Sequence, residues 1–252
     1  MKKPGFKTLR RASVKPISPA RRGRQVVQET EIAHGNTHEE IYAQLKRAIM
    51  SAHYVPGERL IVSRLETVFG TSAMPIREAL RRLVAEQALE NSPNRGVQVP
   101  LMTASRLMDL RRVRCEIEGI AVEWAATTIT NREIEQLEAI QDRLNRLTAS
   151  GSADGYLDLN LDFHFTMYRA ARSPLLIPII ERLWLQAGPC LSAMRGAANL
   201  GMGMDHHEDN LRALRNGDGK GARAGLEREI NEAADVILRS LEGDLQIEQA
   251  GG

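Results

Sequence analysis

Apolar residues recur at helical spacing along most of the chain, and the pattern changes character twice. From His38 onward Ile41, Leu45, Ala48 and Ile49 fall three or four apart, with Thr37 placed as N-cap, until Pro56-Gly57 breaks the run. A short second helix is predicted over 63–69, with Leu65, Val68 and Phe69 apolar and Gly70 closing it. Thr71-Ser72 then supplies an N-cap for a third helix over 73–86. Pro75 sits in its first turn, where a missing N–H costs little. Ile76, Ala79, Leu80, Leu83 and Val84 share one face of that helix, and Met74, Arg77, Arg81 and Ala85 the other. Between Ala88 and Val99 the period drops to two around Ser92-Pro93-Asn94-Arg95-Gly96, which predicts a hairpin. Three helices and a hairpin within 37–100 make a winged helix, its helix-turn-helix spanning 65–86.

Beyond Pro100 helical periods dominate, over 104–127, 131–149, 154–171, 175–196, 205–216 and 219–241, with Gly or Ser-Pro punctuation between them. The fold class is therefore mainly α: the winged helix-turn-helix, then an all-α antiparallel helical bundle over 101–243. Residues 244–252 are expected to be a flexible tail. Residues 1–36 lack a helical period and carry Pro4, Pro16 and Pro19, so a disordered basic arm is expected there.

Composition adds limits. A chain of 252 residues accommodates two modest domains, and 42% hydrophobic with 26% charged residues is ordinary for a globular protein in water. No apolar run approaches the ~18 residues of a membrane span, and no apolar segment follows the basic start as in a secretory signal. Cys115 and Cys190 show no CxxC spacing, so a reduced, cytoplasmic protein is expected. The net charge of +2 divides unevenly: residues 1–36 carry +7, residues 37–100 carry +1 and the remainder −6. A basic front and an acidic rear suit a protein whose front meets a polyanion.

A recognition helix needs donors on its outer face near its N-terminus. Arg77 and Arg81 meet that requirement, with Thr71, Ser72 and Met74 at the leading end and Arg95-Gly96 at the wing tip. Arginines on a helix face are also common as plain solvated surface. The stretches IYAQLKRAIMSAHYVPGERL and LETVFGTSAMPIREALRRLVAEQALENSPNRGVQVP resemble the N-terminal domain of the GntR family of bacterial regulators. The resemblance rests on Pro-Gly before the second helix, the Gly-Thr-Ser turn, Pro-Ile-Arg-Glu-Ala-Leu and the Asn-Arg-Gly wing. It implies DNA contacts from Arg77 and from Arg95-Gly96, and a homodimer on a palindromic operator. Two positions depart from the common pattern. Ala73 stands where many members carry Arg, and Ser63 is followed by Arg64 early in the second helix, where many carry a polar or basic residue. Arg64, Thr71, Ser72, Met74, Arg77, Arg81, Arg95 and Gly96 are the candidate DNA contacts.

In the bundle, Arg114 shares an apolar stripe with Leu107, Leu110, Ile117 and Ala121, so its charge needs a partner. Glu118, one turn on, provides one as an internal ion pair; a carboxylate ligand is the other reading. Asn160 and His164 share a face with Met167 and Ala171, His207 with Leu211 and Leu214, and Glu229 with Leu226, Ala233 and Val236. Single polar groups on apolar faces are often only hydrogen-bonded core residues, yet three helices aiming them inward is also how bundles build sites. The segments VRCEIEG, NLDFH, SPLL and HEDNLRALRNGD resemble the FCD effector domain of the FadR-type subfamily. That resemblance implies a small organic acid as effector, with Arg114, Asn160, His164 and His207 binding it. It also implies a divalent metal (Zn²⁺, Ni²⁺ or Mn²⁺) on Asn160, His164, His207 and Glu229. Asn160 is a neutral ligand and Glu229 stands where His is usual. Asp205 and His206 are expected at the surface, and Trp124 and Trp184 in the core. Two other functions compete. A metal-dependent enzyme could use the same four residues, though no separate nucleophile motif, P-loop or GxGxxG accompanies them. A nucleic-acid packaging protein would explain the basic arm but not the acidic bundle.

Overall fold

The computed structural model describes residues 37–93, 96–195, 201 and 203–250, with side chains described as far as Glu242. The basic arm proposed for 1–36 lies outside these residues, as do Asn94 and Arg95 of the wing tip. Helices α1 (His38–Met50), α2 (Val62–Phe69) and α3 (Ala73–Ala85) precede strands β1 (Glu90–Ser92) and β2 (Gly96–Gln98). The strands pair antiparallel, Asn91 opposite Val97. Together they form the predicted winged helix around Ile41, Leu45, Ile49, Ile76, Leu80 and Leu83, all buried.

Local chemistry sets these elements. Thr37 and Glu40 form a capping box on α1, exchanging bonds of 3.3 and 2.7 Å. The helix ends at Met50, six residues before Pro56-Gly57, because Ala52 takes a left-handed conformation (φ 59°). The Ser51 N–H then closes on the Arg47 carbonyl at 2.9 Å. An alanine is not a residue that advertises such a stop. Gly70 does so for α2 at φ 59°. Arg82 locks α3 to α1, its guanidinium 3.7 Å above the Tyr42 ring and bonded to Glu39 and Glu86. The wing is pinned from behind: Leu60 N–H donates to Val97 O at 3.0 Å and Val99 N–H to Glu58 O at 2.9 Å.

The bundle comprises α4 (Ala104–Thr128), α5 (Asn131–Ser150), α6 (Tyr156–Ala170), α7 (Leu176–Ala187), α8 (Met204–Arg215) and α9 (Gly219–Ala250). Helix α4 packs along α9, α6 and α7, while α8 bridges α5 and α9. Two boundaries and one burial differ from the sequence reading. The helix expected over 175–196 stops at Ala187 and continues as a 3-10 helix, Gly188–Arg195, because Pro189 has no N–H to extend the α ladder. Helix α9 runs on to Ala250 through residues read as a flexible tail, a stretch of helix-favouring side chains with no proline. Trp184 is buried as expected, but Trp124 is 51% exposed on the outer side of α4. It shares that side with Val113, Ile117 and Ile120, whereas Ala121, Val122 and Ala125 face the core.

The winged helix rests on the bundle through α1. Arg47 makes a two-bond pair with Asp162 (2.7 and 2.9 Å), His53 meets Asp158 at 2.9 Å and Lys46 meets Glu181 at 2.6 Å. Gly188 lets the backbones touch, since a Cβ there would lie 2.4 Å from Met50 O and 2.8 Å from Ile49 O. Gly188→Ala is therefore expected to destabilise the docked form by about 1–3 kcal/mol, as overpacking does. The readouts are a lowered thermal midpoint and faster proteolysis of the 99–103 connection. Unchanged values for both would show that the two domains do not depend on this contact.

Candidate nucleic-acid interface and candidate metal centre

The outer face of α3 matches the sequence reading closely. Ser72, Met74, Arg77 and Arg81 are all exposed, as is Arg64 on α2, while Thr71 is half-buried. Ser72 is the N-cap by backbone geometry (φ −77°, ψ 167°), but its side chain makes no capping bond, unlike Thr37 or Thr130. Its hydroxyl is thus not spent on capping the helix. Arg81 pairs with Glu78 on the same face, whereas Arg77 has no ion pair among the described residues. Gly96 follows the wing tip at φ 76° with open space where a Cβ would be.

In the bundle, α6, α8 and α9 bring His164, His207 and Glu229 together, one ligand atom from each lying within 4.8 Å of the others. His164 Nε2 lies 2.9 Å and His207 Nε2 3.1 Å from the same oxygen, Glu229 Oε1. Asn160, one turn before His164, lines a small cavity of about 40 Å³ together with Glu229, Tyr156, Leu191 and Glu232. The fourth predicted ligand is thus at the site's edge, half-buried.

The surroundings decide which nitrogens carry protons. Gln141 donates its Nε2 to Asn145 at 3.1 Å and presents Oε1 to His207 Nδ1 at 2.9 Å, so Nδ1 of His207 donates. Tyr168 donates its hydroxyl proton to Glu118 at 2.6 Å, leaving its oxygen to accept from His164 Nδ1 at 3.3 Å. Burial and the Glu118 charge push the Tyr168 phenol well above its usual range, so it keeps that proton. With Nδ1 of each ring engaged, Nε2 of each faces Glu229 Oε1, donating to it when it carries a proton and offering a lone pair to a cation when it does not. Burial lowers the His207 pKa more than the Glu229 charge raises it. Burial would raise Glu229, but attraction to His164 and His207 holds its carboxyl below the ordinary range. Nε2 of both rings and an ionised carboxylate converge on one point, and the other oxygen, Oε2, is buried without a hydrogen-bond partner. That donor set fits a divalent cation.

Arg114 lies one layer away. It bonds Glu118 at 2.7 and 3.2 Å and stands 5.1 Å over Trp184, the internal ion pair that was one of its two readings. Gln141, Tyr168 and Glu118 order the site and were not singled out as site residues. Gln141 interrupts the apolar stripe of Leu137, Ile140 and Leu144, and Tyr168 follows His164 by one turn; those two interruptions were the available signal. His206, expected at the surface, has a side chain only 13% exposed and pairs with Glu232 at 2.9 Å, because α9 covers that side of α8. Asp205 is exposed as expected.

Comparison with known proteins agrees with this organisation. Residues 37–99 match the model of the bacterial regulatory proteins of the gntR family, and residues 109–232 match the FCD domain. The HTH-type transcriptional regulator McbR of Escherichia coli is 31% identical over 202 residues, 79% of this chain and 91% of that protein. The Nta operon transcriptional regulator of Aminobacter aminovorans is 32% identical over 136 residues, covering 53% of this chain and 63% of that relative. The solved structure of E. coli McbR/YncC superposes with a TM-score of 0.76 at 27% identity, over 82% of this chain and 99% of the other. These relatives are transcriptional regulators and not enzymes, which sets the enzyme reading aside. No helix among the described residues is long and apolar enough to cross a membrane. A DNA-binding winged helix-turn-helix joined to an FCD domain places this chain in the GntR family of bacterial transcriptional regulators, in its FCD-bearing branch.

Proposed function

We propose that the chain is a cytoplasmic, ligand-responsive regulator. It reads a palindromic operator as a homodimer and alters that binding when a small organic acid occupies the bundle beside a divalent metal. The observation that carries this reading is the double duty of α6. Asp158 and Asp162 on one side hold His53 and Arg47 of the reader, while Asn160 and His164 on the other side face the metal centre. Helical periodicity puts the two pairs on opposite faces of one rigid element. Any shift of α6 that a ligand favours is therefore felt at α1, and only such differential affinity can move the equilibrium.

His164, His207, Glu229 and Asn160 would hold the metal, whose chemistry is to supply positive charge for an acid's oxygens. Glu118 already occupies Arg114, so an effector carboxylate would have to displace a buried ion pair to reach it. Arg114 acts instead by fixing Glu118, and through Tyr168 the His164 ring. On the DNA side, Arg77, Arg81 and Arg64 with Thr71 and Ser72 supply donors to phosphates and base edges, and Arg95-Gly96 the wing contact. Two-fold pairing is supported by the exposed apolar side chains. Outside the reader, the exposed large apolar residues among those described are Met108, Val113 and Trp124 on α4, Ile179 on α7 and Leu175 just before it.

Three outcomes are expected. Arg77→Ala should weaken operator binding by about 1–3 kcal/mol with folding intact, and lower the slope of log affinity against log salt by about one. Unaltered affinity, measured by fluorescence anisotropy, would remove α3 as the reader. Zn²⁺, Ni²⁺ or Mn²⁺ should raise the thermal midpoint of the native chain, a chelator should reverse the rise, and His207→Ala should lack it. An equal rise in the variant would place the metal elsewhere. Trp124→Glu should shift the sedimentation velocity profile from dimer to monomer; a dimer that persists would exclude the α4–α7 face.

A further inference from the structure

We propose that Met74 is a base-reading residue, its side chain seated against the 5-methyl group of a thymine in each operator half-site. The inference rests on α3 being the recognition helix and goes beyond it by naming the base that this position selects.

Met74 is 73% exposed, and among the large apolar residues described only Leu175 is more so. It occupies the second position of α3, while the core of the winged helix is served by Ile76, Ala79, Leu80 and Leu83 of the same helix. Packing therefore does not explain it. Its outward neighbours are Arg77, three residues on, and Arg81, seven on. An apolar side chain thus stands on the same face as the two candidate phosphate and base donors. Ala73 and Pro75 flank it, neither with a polar side-chain atom, and Pro75 has no N–H. The leading turn of α3 consequently offers an apolar edge where base-edge donors are commonly carried.

The C5-methyl of thymine is the one methyl group in the major groove; the other base-edge groups are donors, acceptors or bare C–H edges such as cytosine C5–H, which offer far less apolar surface. A thioether side chain cannot replace the water on those polar groups, and leaving them unpaired is unfavourable. Against a methyl group the same chain removes apolar surface from water on both sides. Methionine's unbranched, flexible chain also lets it settle on a methyl whose position varies with local DNA geometry. Selection at this position is then by contact with thymine, in place of a hydrogen bond.

Duplexes enriched by the full chain from a randomised library provide the probe. Each thymine in turn is replaced by deoxyuridine, which deletes the methyl and leaves the pairing edge and the groove acceptors intact. Anisotropy titrations at fixed salt should find one thymine per half-site whose replacement weakens binding about fourfold, the ratio given by about 0.8 kcal/mol for one buried methyl-sized group. Met74→Ala should bind both forms equally, Met74→Leu should retain the difference, and Arg77→Ala should weaken both forms while keeping their ratio. If no replacement matters to the native chain, or if Met74→Ala discriminates as the native chain does, the proposal is overturned while operator reading stands. If the library yields no enriched sequence, operator reading fails and this inference falls with it.

Discussion

A carboxylate with no exposure to water must collect donors, and the bundle is organised around one that does. Glu118 accepts two bonds from Arg114 on its own helix, one from Tyr168 on α6 and one from Trp184 on α7 at 3.1 Å. Removing Arg114 would strand buried charge and removing Tyr168 or Trp184 would cost that charge a donor, so the three helices are held in one mutual arrangement. The same bonds reach further. Because Tyr168 spends its proton on Glu118, its oxygen can only accept from His164, and that fixes which nitrogen of His164 faces Glu229. The nitrogen that His164 turns toward the candidate metal centre is thus a consequence of a salt bridge one layer away.

Much of this was legible in the sequence, and the rest was not for identifiable reasons. The winged helix could be read because Gly70, the apolar face of α3 and the Pro-Asn-Arg-Gly turn are local signals. His164, His207 and Glu229 could be placed on inward faces because each breaks an apolar stripe at helical spacing. Ala52 could not be foreseen as the stop after α1, since the left-handed conformation of a non-glycine residue is settled by tertiary packing. Trp124 defeated the ordinary expectation for a large aromatic residue, because the apolar residues of α4 extend beyond the face that packs on α6, α7 and α9. The internal pairing of Arg114 was available as an i, i+4 spacing, but spacing alone does not say which of two partners a guanidinium takes.

The reader and the bundle meet through polar and close-packed contacts of different reach. Arg47–Asp162 and His53–Asp158 are partly exposed, so each alone contributes modestly and is screened by salt. Gly188 against the end of α1 is a steric fit that salt leaves untouched. The pairing fixes orientation and the glycine fixes distance, a division that lets the domains stay in register while the ion pairs exchange with solvent.

The small size of the cavity beside Asn160 and Glu229 has a thermodynamic consequence. About 40 Å³ accommodates a water molecule or two, far less than an organic acid of several heavy atoms. The organic acid proposed as effector would require a conformation in which the lining, Leu191 and Tyr156 included, stands further apart. Its measured dissociation constant would then be the intrinsic one divided by the fraction of chains already open. Substitutions remote from the cavity that alter this fraction would change apparent affinity without touching the ligand, so the tightness of the resting bundle would itself set the sensitivity of the proposed response.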